Sequence, residues 1–172
     1  MKNLLAQECN NFYHQYDIIV AAGKKAGVGI HALKQVREKM SNPIKCKTIT
    51  LTCGKLLTGV SVAPWSGIFM LRNCSSPETY FQAAFRVQTP WKIKNVDGLS
   101  PNKEVILKKE CYIFDFAPTR ALRQIVDYSC NLDISDQNPE KKVEEFCNFL
   151  PILAYDGARM QSLNASAILD IA

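Results

Sequence analysis

The sequence predicts an α/β protein built around a mostly parallel sheet. Short apolar runs alternate with stretches of helical periodicity, two of those stretches open on a Ser-Pro or Asn-Pro start, and Gly, Asn and Pro punctuate the junctions. At 172 residues the chain suffices for one ordinary domain and falls short of two lobes that each bury a core of their own. With 47% hydrophobic and 22% charged residues, the composition is that of a packed protein and not of a disordered or fibrous one.

The elements follow in order. Residues 17–22 (DIIVAA) form a first strand, and Gly23, Gly27 and Gly29 mark the loop behind it. Ile30, Leu33, Val36 and Met40 fall near helical spacing, so a helix follows and ends at Asn42-Pro43. Residues 48–53 alternate Ile49, Leu51 and Cys53 with three threonines and predict a second strand. Residues 67–71 (GIFML) are continuously apolar and predict a third strand buried on both faces. Ser76 as N-cap, Pro77 at the first helical position and Glu78 in the first turn start a helix that runs to about Gln88.

Residues 92–109 are polar, with Asp97-Gly98 and Ser100-Pro101 as turn signals, and predict an excursion between elements. Residues 111–116 (CYIFDF) are a fourth strand. Pro118 opens a helix with Leu122, Ile125, Val126 and Ser129 on one face. Asn138-Pro139 opens another, where Val143, Phe146, Cys147 and Leu150 give an i, i+3, i+4, i+7 stripe that Pro151 ends. A short terminal helix starts near Asn164.

Composition also narrows the chemistry. Seven scattered cysteines, none within a C-x-x-C knuckle, and two histidines without a cysteine nearby predict free thiols and no metal site. No apolar run reaches the ~20 residues that span a bilayer, and no signal-like stretch opens the chain, so a cytoplasmic protein with no membrane partner is expected. The net charge of +5 is unevenly spread. Residues 1–110 carry 16 Lys or Arg against 7 Asp or Glu, and residues 111–172 carry 5 against 9. A basic surplus of this size suits either a phosphate-bearing partner or a solvated lysine-rich surface. The glycines after the first strand fit neither G-x-G-x-x-G nor G-x-x-x-x-G-K-[ST], so the chain has no recognisable ATP P-loop.

In TYFQAAFRVQ nearly every residue is apolar or small except Gln82 and Arg86, which an α-helix would place on one face. An arginine on a largely buried helix needs an anionic partner such as a carboxylate or phosphate, and the alternatives are an internal salt bridge or a place on an exposed edge of the helix.

Two segments carry a resemblance to a known family. TLTCGKLLTGVSVAPW resembles motif V of superfamily 2 helicases, in the version found in motor subunits of type I and related restriction enzymes; the matching residues are Thr52, Leu56, Leu57, Thr58, Gly59, Ser61 and Pro64. Roughly twenty residues on, FQAAFRVQTP resembles motif VI of the same family through Gln82 and Arg86. Phe85 replaces a small residue of that pattern, Thr89 stands where its second arginine belongs, and Ser61 takes the place of an acidic ribose contact. YIFDFAPTRALRQIVDYS resembles the strand and helix that follow, so the similarity covers about residues 45–130.

The resemblance implies a three-layer RecA-like second lobe over residues 1–116, with a helical extension over 117–172. It implies an ATP-dependent DNA helicase or restriction-type translocase whose ATP and Mg²⁺ are shared with an N-terminal P-loop lobe, so that this chain alone would not hydrolyse ATP. Arg86 would be the catalytic arginine at the γ-phosphate. Gln82, Gly59 and Ser61 would line the nucleotide, and Thr52, Gly54, Lys55 and Thr58 would meet DNA. The partners implied are DNA, the P-loop lobe and restriction-modification subunits. With Thr89 in place of the second arginine, three alternatives stand: Arg86 acts alone, Arg72 or Lys92 substitutes, or the motor is weakened. A second class of function is a non-catalytic module, derived from such a lobe, that binds nucleic acid or protein without turnover.

Overall fold

Two parallel strand pairs organise the chain. The computed structural model describes residues 1–23, 27, 30–56, 59–74, 76–101, 103–132 and 138–172. Their contacts group into two compact units, Met1–Ser66 with Phe85–Cys111, and Gly67–Ala84 with Tyr112–Ala172. Length alone argued for a single core; the chain instead gathers two smaller ones.

In the first unit, a short helix α1 (Lys2–Leu5) and a 3-10 segment (Glu8–Gln15) lead into β1 (Asp17–Ala21). Strand β1 pairs in parallel with β2 (Thr48–Thr52), in a register running from Asp17 opposite Thr48 to Ala21 opposite Thr52. Helix α2 (Ile30–Lys39) makes the crossover. Its residues Ala32, Leu33 and Val36 are buried in one cluster with Ile19, Ala21, Leu56, Val60 and Val62, and Met40 and Trp65 pack at its margin. This is the apolar face expected from the spacing of Leu33, Val36 and Met40, whereas Ile30, counted with them in the sequence, is 75% exposed. The predicted excursion contains a hairpin, β4 (Lys92–Lys94) against β5 (Glu104–Ile106), with Lys92 paired to Glu104 at 2.5 Å.

In the second unit, β3 (Gly67–Met70) pairs in parallel with β6 (Tyr112–Asp115), with Phe69 opposite Phe114. Helix α3 (Pro77–Ala84) begins where predicted: the Thr79 amide donates to Ser76 Oγ at 3.3 Å and Ser76 Oγ donates to Glu78 at 2.7 Å. Helices α4 (Pro118–Leu132), α5 (Pro139–Phe149) and α6 (Ala165–Ile171) complete the unit with a hairpin, β7 (Leu153–Tyr155) against β8 (Met160–Ser162). Asn138 caps α5 by accepting from the Glu140 amide at 3.0 Å, and Asn164 caps α6 by accepting from the Ala167 amide at 2.9 Å. The core joins Phe81 of α3, Leu122 and Ile125 of α4, Val143 and Phe146 of α5 and Ile168 of α6. Phe81 packs on Tyr128 at 4.3 Å and on Phe146 at 5.3 Å between ring centroids.

Two expectations need correction. Strand β3 is not buried on both faces: Phe69 is 58% exposed and stacks on Phe114, itself 42% exposed, at 4.8 Å. The apolar run reads as continuous because Phe69 stacks with Phe114 and Phe116 on an open face and Leu71 is also exposed, while Ile68 and Met70 are half-buried. The α-helix that starts at Pro77 also stops at Ala84, and Phe85–Gln88 is a 3-10 turn. Arg86 therefore lies on a 3-10 turn and not on the α-helix that carries Gln82. Among the described residues the fold is mixed α/β, with strands in four two-stranded sheets.

Candidate functional site

In open parallel sheets, ligands gather beyond the carboxyl ends of the strands. In the first unit that edge holds most of the residues singled out from the sequence. Thr52 is the last residue of β2 and is exposed. Gly54 follows with φ +76° and Gly59 with φ +65°, both in the left-handed region that glycine occupies without strain. A side chain at Gly59 would meet open space, so backbone conformation, and not crowding, calls for glycine there. Leu56, Val60 and Val62 are buried and pin the loop to the core, while Thr52, Gly54, Gly59 and Ser61 stay exposed. Thr58 lies outside the described residues.

Three cationic side chains tie this edge together. Lys55 Nζ donates to the carbonyls of Gly23 at 2.5 Å and Gly27 at 2.7 Å, joining the loops behind β1 and β2. Two carbonyls of the glycine loop thus accept from lysine, the opposite polarity from a backbone cradle that donates N–H groups to phosphate. Lys55, expected at DNA, spends two of its donors inside the unit. Arg86 is half-buried, and its Nη1 donates to the Val60 carbonyl at 2.8 Å. The arginine of the second sequence motif is thus held on the loop of the first, between Gly59 and Ser61.

Lys108 is the third. Its Nζ donates to the carbonyls of Ala63 at 2.8 Å, Trp65 at 2.8 Å and Val87 at 2.7 Å, which uses all three ammonium donors. Burial draws its pKa below the ordinary lysine value. Sequence reasoning missed this residue because nothing local separates Lys108 from Lys109, and its partners lie 21 to 45 positions away.

Gln82 sits on α3 in the second unit and is exposed. Arg72, one of the possible substitutes for the absent second arginine, follows β3 in that unit and is exposed; Lys92 is engaged with Glu104 in the first. The carboxyl end of β6 carries a separate polar group. Asp115 Oδ1 accepts from the Ala117 amide at 2.8 Å and from Arg120 at 2.5 Å. Burial first, and then the Asp115 charge, raise the Tyr80 hydroxyl pKa above its ordinary value. Among the described residues no group of three or more His, Cys, Asp and Glu could hold a metal ion, all seven cysteines are free thiols, and no helix is long and apolar enough to cross a membrane.

Comparison with known proteins adds a relative at the level of sequence. The chain is 30% identical over 163 residues, 94% of its length, to a Mycoplasma pneumoniae protein named as the C-terminus of a candidate type II restriction enzyme and methyltransferase. The chain spans about a fifth of that relative, 21% of its length. No protein-family model and no solved structure matches the chain.

Proposed function

We propose that this chain works in DNA restriction-modification, as the second lobe of an ATP-dependent helicase or translocase. The observation that carries the reading is the bond from Arg86 to the Val60 carbonyl. It joins the two segments that resemble motifs V and VI, at the carboxyl end of a parallel strand pair. The similarity to a restriction and methyltransferase polypeptide supports the same setting. So does charge: the unit holding this edge carries 15 Lys or Arg against 6 Asp or Glu.

In this reading residues 1–116 belong to a three-layer RecA-like lobe and 117–172 form its helical extension. ATP with Mg²⁺ supplies the γ-phosphoryl group whose transfer drives movement along DNA, and a P-loop lobe supplies the other half of its site. Arg86 presents a planar, permanently charged guanidinium to charge that develops on the transferred group. Gly59 and Ser61 offer exposed loop backbone for the nucleotide to approach, and the role of Gln82 as a nucleotide contact belongs to the same reading. Thr52 and Gly54 offer small, exposed groups to the phosphates of DNA. The test is DNA-stimulated ATP hydrolysis by the chain together with a P-loop lobe, supplied in one polypeptide or in trans. Arg86→Ala should abolish the stimulated rate; unchanged turnover sinks the assignment.

Thr89, in place of the second motif VI arginine, favours a second reading: a non-catalytic module that binds DNA without turnover. Stimulated hydrolysis by the wild-type pair decides against that reading.

A further inference from the structure

We propose that Lys108 is a positioning residue that sets the geometry of Arg86 by clamping its turn to the loop behind β2. This inference rests on the assignment of that edge as a nucleic-acid and nucleotide site. The 3-10 turn Phe85–Gln88 and the segment from Val60 to Trp65 have no shared strand or helix to hold them in register. Two cross-links do so. Arg86 grips the Val60 carbonyl at one end of the segment, and Lys108 grips Ala63 and Trp65 at the other while holding Val87, the neighbour of Arg86.

The chemistry suits a rigid joint. An ammonium has three donors in tetrahedral arrangement, and three carbonyls at 2.7–2.8 Å satisfy all of them. These are charge-assisted bonds in a half-buried site, where removing the donor leaves three backbone acceptors to find new partners. Val87 is buried, so the backbone that Lys108 holds is also packed and transmits the constraint to Arg86 next to it. A planar guanidinium at position 108 supplies enough donors but cannot direct them at three carbonyls in a tetrahedral array. Lysine is therefore specifically suited to this position.

Hydrogen exchange on the full chain, wild type against Lys108→Met and Lys108→Arg, tests the clamp directly. Amides in the segments around Val60–Trp65 and Arg86–Gln88 should exchange about tenfold faster or more in Lys108→Met, with β1 and α2 amides unchanged, and Lys108→Arg should restore protection in part. Equal exchange at those segments in all three proteins overturns the proposal. So does uniform loss of protection throughout the unit in both variants and in Lys108→Gln, since that outcome marks general stability and not positioning. DNA-stimulated ATP hydrolysis by the chain paired with a P-loop lobe gives the second readout. Lys108→Met should lower the stimulated rate several-fold, and adding it to Arg86→Ala should lower the rate no further, because Lys108 acts through Arg86. Additive losses overturn the coupling. A wild-type pair that shows no DNA-stimulated hydrolysis while the exchange pattern holds refutes the assignment of the edge and leaves the clamp intact.

Discussion

Arg86 and Lys108 show how a half-buried cation is accommodated by backbone carbonyls. Each is partly withdrawn from bulk water and satisfies donors with carbonyl oxygens of the chain. If Arg86 acts as the proposed arginine finger, Arg86→Ala should lower DNA-stimulated turnover in the presence of a P-loop lobe by roughly 10³-fold or more, the scale on which arginine fingers act. Steady-state kinetics on the paired lobes measures it. Tyr80 has a consequence for stability. Its hydroxyl titrates above the ordinary value because burial, and then the charge of Asp115, disfavour the phenolate. The unfolded chain therefore loses this proton first as pH rises. The contribution is complete below about pH 10 and is lost above it, at about 1.4 kcal/mol per pH unit until the folded protein also ionises. Urea unfolding at pH 9 to 11 should show the decline, and Tyr80→Phe should make it shallower.

At the level of elements, caps and apolar stripes explain why the helices lie where they do. Asn138 ahead of Pro139 is a complete start signal, a side-chain acceptor followed by a residue with no amide to satisfy, and the structure uses both. Asn138→Ala should cost about 1 kcal/mol, measured by thermal or urea unfolding. Helix α2 depends on packing more than on caps. Leu33 is 4% exposed within the cluster that also anchors Leu56, Val60 and Val62 of the site loop. Leu33→Ala should destabilise by roughly 2–5 kcal/mol and loosen that loop, so exchange at Val60 and Val62 should rise with the loss of stability. The hairpin of β4 and β5 escaped detection because its strands of three residues are exposed on both sides, leaving no alternation of apolar and polar residues to read.

For the whole molecule, charge is the property most open to test. The unit holding the site edge carries a surplus of nine positive charges, whereas the other carries 6 Lys or Arg against 10 Asp or Glu. If the basic unit binds DNA, affinity should fall steeply between 50 and 200 mM salt, by about 10³-fold for some six phosphate contacts. Fluorescence anisotropy with a labelled duplex checks this, and a flat response rejects the DNA reading. The acidic unit should not bind DNA on its own account, and the stacked, exposed Phe69 and Phe114 lie within it.

Periodicity, caps and turn residues were enough to place the four strands of the two parallel pairs and the helices from α2 onward, because those signals are local. The resemblance of two segments to helicase motifs, not local pattern, marked Thr52, Gly54, Gly59, Ser61 and Arg86 as residues of interest. Local pattern could not choose which strands pair, so a single sheet was expected where β1 with β2 and β3 with β6 form separate pairs. It could not separate Lys108 from its neighbour, or foresee that Lys55 binds glycine carbonyls. Those outcomes depend on contacts between residues tens of positions apart. Such contacts form only when the folded chain brings a donor and a buried acceptor within about 3 Å of each other.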